Sequence, residues 1–477
     1  MKPTLTLLTA LLLTPLAALH AADAPPPVKP NIVFILADDW GWGDLACHGS
    51  KLVQTPNIDR LAREGADFHQ FNTGSPVCSP SRVAFTTGQF PARFGVHEAI
   101  GSFAKNREVR QVDWLDPHAI TLPGLLQQAG YITGHVGKWH LGSSQAGDAP
   151  MPAAYGIGEH ALFAGTSHPQ ATQIASHHEV YDAAVKFLRE HKAQPFYLNV
   201  WIHETHLPHM PSEESLKECA HLDEQQRVYS AVVADGDKGI GKVLAALKEL
   251  GLEDNTLVVF SSDNGPENTS RGKGMRGKGS PDEEDGGSGY GGFYSVGSTG
   301  GARGRKRSLY EGGVRLPFIV RWPGHIAPGV VNKTTSVAAV DLLPTVCAAA
   351  NVSLPASFKP DGENMLPALL GKEVTRTQPI FWDWRGRDLP KDCWPRWAVR
   401  DGEWKLVSDD ATRQELYRSP DDWAEGKNLA KEHPEIVERL SAKLAVWKAT
   451  LPKEPPPEFI SKATPSKKKR GKAKTAE

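Results

Sequence analysis

The stretch NIVFILADD, Asn31 to Asp39, decides the fold. Its body is apolar without alternation, the signature of a strand covered on both faces rather than one with a wet side. It ends abruptly on two acids, so the strand is oily along its length and polar at its carboxyl end. Downstream, Thr55-Pro56 opens a helix that Gly65 closes, with Ile58, Leu61 and Ala62 as its apolar stripe. Tyr131–Val136, Phe196–Ile202 and Leu257–Ser261 read as further strands. Gln225–Leu250 reads as a long helix with Val228, Val232, Val243, Leu244 and Leu247 on one face and Gly251 as its stop. Strands interleaved with helices predict an α/β fold with a mostly parallel sheet sandwiched by helices.

Before this stretch, Lys2, an apolar run from Leu5 to Leu19 and a Pro-rich segment predict a signal peptide over residues 1–22, cleaved after Ala21 or Ala22. Leu19 and His20 make an imperfect cleavage site, and an anchor helix is the alternative. Export implies a periplasmic or secreted protein with no stable membrane span. A formal net charge of −1 names no partner and gives no reason to expect nucleic acid. Five cysteines (Cys47, Cys78, Cys219, Cys347, Cys393) form no disulfide framework, and their odd number leaves at least one unpaired, expected to be Cys78.

Residues 23–350 are expected to form the catalytic domain. After Asn351, RWAVRDGEWKLV and QELYRSP read as short antiparallel strands and Pro434–Thr450 as a helix, giving a smaller α+β domain over 351–451. The Pro- and Lys-rich tail, 452–477, is expected to be disordered. The Gly-, Ser- and basic-rich segment from Arg271 to Arg307 reads as a long surface excursion.

Chemistry gathers where strands end. The first delivers Asp38 and Asp39; the Tyr131 strand runs into Lys138 and His140; the Phe196 strand into His203 and His206; the Leu257 strand into Asp263 and Asn264. Sites in parallel sheets form outside the carboxyl ends of strands, so these groups are predicted to meet. The oxygen-only set of Asp38, Asp39, Asp263 and Asn264 suits Ca²⁺ or Mg²⁺ rather than zinc, with helix capping as the bland alternative. HETH (203–206) is one residue short of a zincin motif and precedes Pro208, so a metalloprotease is excluded. Two G-x-G-x-x-G matches, at 272–277 and 287–292, neither follow a strand nor open a helix and read as loop composition. PVCSPSR, Pro76 to Arg82, places Cys78 in what reads as an exposed turn. As a thiol it would suit a cysteine hydrolase with His140 or His206 as base, or a half-cystine paired with Cys47.

These motifs together resemble the type I sulfatases. Cys78-Ser79-Pro80-Ser81-Arg82 is similar to their C-x-P-x-R signature and Gly130–His140 to their second signature; SDNG and KRSLYEGGVR follow in the same order, with RDGEWKLV and ELY near the C-terminus. Phe85-Thr86 stands where the family usually has an apolar pair. The resemblance implies an alkaline-phosphatase-like sandwich with a smaller C-terminal sheet domain. It also implies that a formylglycine-generating enzyme oxidises Cys78 to formylglycine, whose hydrate attacks sulfate and later expels it as the aldehyde returns. On the same ground, Asp38, Asp39, Asp263 and Asn264 would hold Ca²⁺ with residue 78. Arg82 would orient the nucleophile and Lys138 and Lys306 would neutralise sulfate oxygens. His140 would be the base and His206 the acid, assisted by Lys306.

Weaker candidates stand nearby. His97, His203 and His209 could touch substrate, with surface positions the alternative for His203 and His209. Trp40, His97 and Glu98 could line the pocket or pack in the core. Trp382, Trp384, Arg385 and Arg387 suit either a sulfated sugar or a domain interface. The substrate is expected to be a sulfated carbohydrate, first among them a galactose or N-acetylgalactosamine 6-sulfate. The rivals are a phosphate or phosphonate ester hydrolase of the same superfold and a non-catalytic sulfated-glycan-binding protein.

Overall fold

A computed structural model describes residues 29–163, 173–174, 177–270, 289–386, 395–409 and 413–463. The expected signal peptide, Arg387, Cys393, residues 464–477, the first glycine motif and the start of the second lie outside them. No helix among the described residues is long and apolar enough to cross a membrane.

The strands, in chain order, are β1 Asn31–Ala37, β2 Ala66–Phe68, β3 Phe71–Asn72, β4 Ile132–Gly137, β5 Glu159–Phe163, β6 Gln173–Ile174, β7 Phe196–Trp201, β8 Thr256–Ser262, β9 Phe318–Arg321, β10 Val330–Asn332, β11 Val337–Ala338, β12 Ile380–Asp383, β13 Trp397–Asp401, β14 Trp404–Ser408 and β15 Gln414–Arg418. Nine form one sheet in the order β10-β2-β9-β8-β1-β7-β4-β5-β6. β1 lies near its centre, parallel to β7 and β8; β9 runs antiparallel to β8 and β2. β12 to β15 form a separate antiparallel sheet in sequence order.

The unbroken apolar run of β1 is explained by its two covered faces. Ile32, Phe34 and Leu36 join a core shared with the helix Cys78–Thr87, the C-terminal sheet and the helix Pro434–Ala449. Val33, Ile35 and Ala37 pack on the other side against the helices His177–His191 and Glu224–Glu249. The latter starts where Asp223 accepts a hydrogen bond from the Gln226 amide at 2.9 Å, an N-cap.

The C-terminal sheet is fastened through buried charge. Lys405 donates to Glu311 at 2.6 Å, and Arg400 donates to Asn72 and Gln70 at 2.7 Å each. Trp382 is buried and donates to the Thr73 carbonyl at 2.8 Å, while Trp384 donates to Glu98 at 2.9 Å. For Trp382 and Trp384, therefore, the contact is an interface rather than a sugar platform, and IFWD is a strand that sequence periodicity did not reveal. The tail departs from expectation as well. Residues 452–463 pack on the main body: the Phe459 carbonyl accepts from Asp113 at 2.9 Å, and Ser461 donates to Asp148 at 2.6 Å. Phe459 covers an apolar cluster there, which outweighs the disorder its Pro-rich surroundings favour.

Candidate active site

The carboxyl ends of β1, β4, β7 and β8 face one place because all four strands run parallel. Asp38 and Asp39 continue β1 at once; Asp39 is held in the left-handed region at φ 65°. The Asp39 amide donates to Asp263 Oδ1 at 3.2 Å, which locks the ends of β1 and β8 together. Gly137 closes β4 at φ 101°, where a Cβ would lie 1.9 Å from the Trp201 carbonyl oxygen. Only glycine allows that approach, and it lets the Lys138 amide donate to the same carbonyl at 2.9 Å.

Cys78 is not in an exposed turn. It opens the helix Cys78–Thr87 and is 2% exposed, because every residue of this helix is buried between the sheet and the C-terminal region. Its Sγ lies 3.5 Å from Asp38 Oδ1 and 3.4 Å from Lys138 Nζ. Burial pushes the thiol pKa up, and Asp38 and Asp263 add to this against Lys138. Such a thiol is a poor source of thiolate. Cys47 is exposed, and it, Cys78, Cys219 and Cys347 are all free, so the Cys47–Cys78 disulfide is not formed.

Cations and carboxylates alternate around Sγ. Lys138 Nζ donates to Asp38 Oδ2 at 2.6 Å and Lys306 Nζ to Asp39 Oδ2 at 2.6 Å. Arg82 gives Asp263 Oδ2 two N–H bonds, at 3.0 and 2.7 Å, and a third to the Lys138 carbonyl at 2.9 Å. Burial would raise Asp38, but Lys138, His206 and His203 hold it well below the usual carboxylate range. Burial and the crowding of like charges push Asp39 to about 6 and Asp263 to about 7. Asp38, Asp39, Cys78 and Asp263 place one donor atom each within 4.8 Å of one another. Asn264 donates to Asp39 at 2.6 Å and leaves Oδ1 buried without a partner among the described residues. An oxygen-rich set with an orphan carbonyl fits a hard divalent cation.

Three histidines border this cluster. His203 Nδ1 bonds the Asp38 carboxylate, and its ring stacks on His206 with centroids 4.4 Å apart. His206 donates from Nδ1 to the Leu207 carbonyl at 2.8 Å, so its neutral form keeps a lone pair at Nε2. His140 donates from Nε2 to the Ile100 carbonyl at 3.0 Å, leaving a buried Nδ1 with no partner among the described residues. Burial, with Lys138 next, holds both His140 and His206 well below the usual imidazole value. His203 and His209 are buried, not surface residues; His209 bonds Ser295 at 2.9 Å.

His97 lies outside this group: its Nδ1 sits 2.9 Å from Asp383 at the interface with the C-terminal sheet. Trp40 is core, its ring against Phe260 with centroids 5.9 Å apart. Three contributors escaped sequence reading. Glu267 lies 3.3 Å from Lys306 and pairs with Arg307; Thr205 donates to the Asp38 carbonyl; Thr73 donates to the Asp263 carbonyl at 2.9 Å. Thr205 sits inside HETH and Glu267 lies two residues past SDNG, but neither position belongs to a pattern that marks it, and Thr73 has no motif around it.

Comparison with known proteins decides the family. The sulfatase family matches residues 30–352. This chain belongs to the sulfatases. A second family, described as N-sulphoglucosamine sulphohydrolase, C-terminal, matches residues 304–450 of this sulfatase. The sulfatase is 32% identical to the N-acetylgalactosamine-6-sulfatase of Canis lupus familiaris, over 88% of this chain and 79% of that one. It is 29% identical to the N-acetylgalactosamine-6-O-sulfatase of Bacteroides thetaiotaomicron, over 87% and 92%. The solved structure of Ps i-CgsB in complex with k-i-k-neocarrahexaose superposes with a TM-score of 0.73 at 25% identity, covering 91% and 95%. The phosphonate monoester hydrolase of Agrobacterium radiobacter shares the fold at a TM-score of 0.62 and 20% identity, covering 88% and 96%. The chain is therefore a sulfuric ester hydrolase of alkaline-phosphatase-like fold.

Proposed function

We propose that this sulfatase hydrolyses sulfate esters of an exported-compartment carbohydrate, using formylglycine made from Cys78 by a formylglycine-generating enzyme and a bound Ca²⁺. The observation that carries this reading is Cys78 itself. It is a buried thiol with its pKa pushed up, set between Asp38 and Lys138 with no imidazole hydrogen-bonded to it among the described residues. That is a poor cysteine nucleophile and a well-placed precursor, and binding alone would need neither. Once oxidised to the aldehyde and hydrated by water, residue 78 would supply two hydroxyls on one carbon, one to attack sulfur and expel the sugar alcohol, and one whose proton loss breaks the carbon–oxygen bond to the sulfate and restores the aldehyde.

Asp38, Asp39, Asp263 and Asn264 would hold the cation, which supplies Lewis-acid polarisation of a sulfate oxygen. Their negative charge would then be answered by the metal, leaving Lys138 and Lys306 to face the sulfate. Fixed charges of this kind act most strongly where they are desolvated, and both lysines are buried. Arg82 acts through Asp263 and the Lys138 carbonyl, holding both in place. His140, whose Nδ1 has no hydrogen-bond partner among the described residues, is set to accept the proton as the aldehyde returns. His206 can donate at Nε2 only as imidazolium. Burial first, then Lys138 and Lys306, hold it neutral; a sulfate anion between the two lysines would offset their share and so favour the imidazolium.

The relatives named for N-acetylgalactosamine-6-sulfate and the neocarrahexaose complex support a sulfated galactose or N-acetylgalactosamine unit as substrate. We assign residues 23–350 to the catalytic domain, 351–451 to the C-terminal one and 1–22 to an export signal. The test is sulfate release from sulfated mono- and oligosaccharides, with matched phosphate esters alongside and Cys78→Ala as control. Release from a 6-sulfated sugar, lost in the control, is expected. Faster release of phosphate would favour a phosphoryl hydrolase.

A further inference from the structure

A second donor cluster shares no residue with the catalytic carboxylates. Cys47, His48 and Asp67 place one donor atom each within 4.8 Å of one another. His69, two residues past Asp67, directs its Nε2 to the same Asp67 Oδ2 at 3.3 Å. Cys47 and His48 sit on the 3-10 turn Ala46–His48, and Asp67 lies within β2, so the cluster joins two segments that share no ladder.

The hydrogen bonding of His48 points to a cation. Its Nδ1 is 2.7 Å from the Trp42 carbonyl, which can only accept, so Nδ1 carries the proton. A neutral His48 then turns the Nε2 lone pair onto Asp67 Oδ2 at 2.8 Å. Lone pair against carboxylate is repulsive unless positive charge lies on the ring or among the donors. His48 is fully buried at its side chain and Asp67 is 5% exposed, which sharpens that demand. Asp67 Oδ1 is also buried and has no hydrogen-bond partner among the described residues.

We propose that Cys47, His48 and Asp67 form a structural Zn²⁺ site, with His69, already directed at the same Asp67 oxygen, turning in as the fourth ligand. One sulfur, two imidazole nitrogens and one carboxylate oxygen suit zinc and not the hard cation of the catalytic cluster. The imidazole of His48 held through a backbone carbonyl is the support that zinc-bound histidines ordinarily show. Trp42 stacks on His48 with centroids 4.0 Å apart and meets His69 edge-on, which fixes both rings. The Cys47 amide donates to Asp59 at 2.9 Å, which fixes the third donor's backbone. Cys47 is exposed, so the metal has a way in, and the thiol releases its proton to solvent on binding. The metal would clip the loop after Asp38-Asp39 to β2. Trp423, from the C-terminal region, packs on the same Trp42 at 4.6 Å.

The test uses the full chain with Cys78→Ala, so that the active-site thiol gives no signal, stripped with chelator and resupplied with Ca²⁺. Co²⁺ should bind once per chain with a thiolate-to-cobalt charge-transfer band, and Zn²⁺ should displace it. The further change Cys47→Ala should abolish the band. The change His69→Gln should weaken Co²⁺ by at least the roughly tenfold that loss of a supporting group costs a metal site. Zn²⁺ should raise the Tm of the parent and leave that of Cys47→Ala unmoved. A folded, stripped chain that takes up no Co²⁺ would mean that His48 is simply an imidazolium paired with Asp67, and a band that survives Cys47→Ala would place the metal elsewhere. Either result overturns the site.

Discussion

Replacing Arg82 with Met should uncover how much of this fold rests on one ion pair. Arg82 and Asp263 are each 0% exposed at the side chain and meet at 2.7 Å. Removing the guanidinium strips Asp263 Oδ2 of two donors and the Lys138 carbonyl of one. Breaking a buried pair from one side costs about 3–5 kcal/mol, since the remaining charge keeps its desolvation penalty. Asp263→Asn should cost less, because Arg82 retains the Lys138 carbonyl and still has Asp38 at 3.7 Å. In the double variant no lone carboxylate is left, so its cost should fall short of the sum by about 1.5–3 kcal/mol, the range for hydrogen bonds to charged groups. Urea unfolding of the four proteins in chelator measures this. Asp263 titrates at about 7, so the cost of Arg82→Met should be larger above that pH, where the carboxylate is ionised, and smaller below it. Additive costs, or a cost independent of pH, would refute the pairing as the source of stability.

Other expectations follow from the same geometry. Lys138→Ala and Lys306→Ala should each lower kcat/KM for a sulfate ester by about 10²–10³-fold, the usual loss of a preorganised charge at an oxyanion, read by sulfate release. His206→Asn should slow alkyl sulfates by about 10²-fold or more and aryl sulfates with good leaving groups far less, because only the former need a proton on the departing oxygen. Asp39 and Asp263 have folded pKa values raised to about 6 and about 7, so in the metal-free protein ionising them disfavours the folded state. Their stabilising contribution is complete below the unfolded carboxylate value, near 4, and is lost as pH rises through 6 to 7. Ca²⁺ competes with those protons, so calcium titration should show tighter binding above pH 7 than below 6. An affinity that weakens with rising pH would contradict the assignment.

Much of this was legible in the chain because strand ends are written in it. NIVFILA is buried along its length and the acids that follow it reach the site, as do Lys138, His140, His206 and the SDN residues. What the sequence hid depends on distant partners. PVCSPSR reads as a turn because Pro and Ser break local pattern, yet its helix forms because sheet and C-terminal region cover it on every side. The surface reading of His203 and His209 failed for a similar reason: each ring is covered and bonded by segments remote in sequence, Asp38 and Ser295. His97 is drawn to Asp383, nearly three hundred positions on, and no spacing rule reports such a pair. Phe459 anchors a tail whose composition alone favours disorder.

The most direct test of the central claim is the chemical state of residue 78 in active enzyme. The protein would be made with graded amounts of a formylglycine-generating enzyme, and the peptide bearing residue 78 weighed by mass spectrometry beside the rate of sulfate release. Activity should rise in proportion to the aldehyde fraction and resist thiol alkylation. Full activity in protein whose Cys78 is wholly thiol, abolished by alkylation, would contradict the claim.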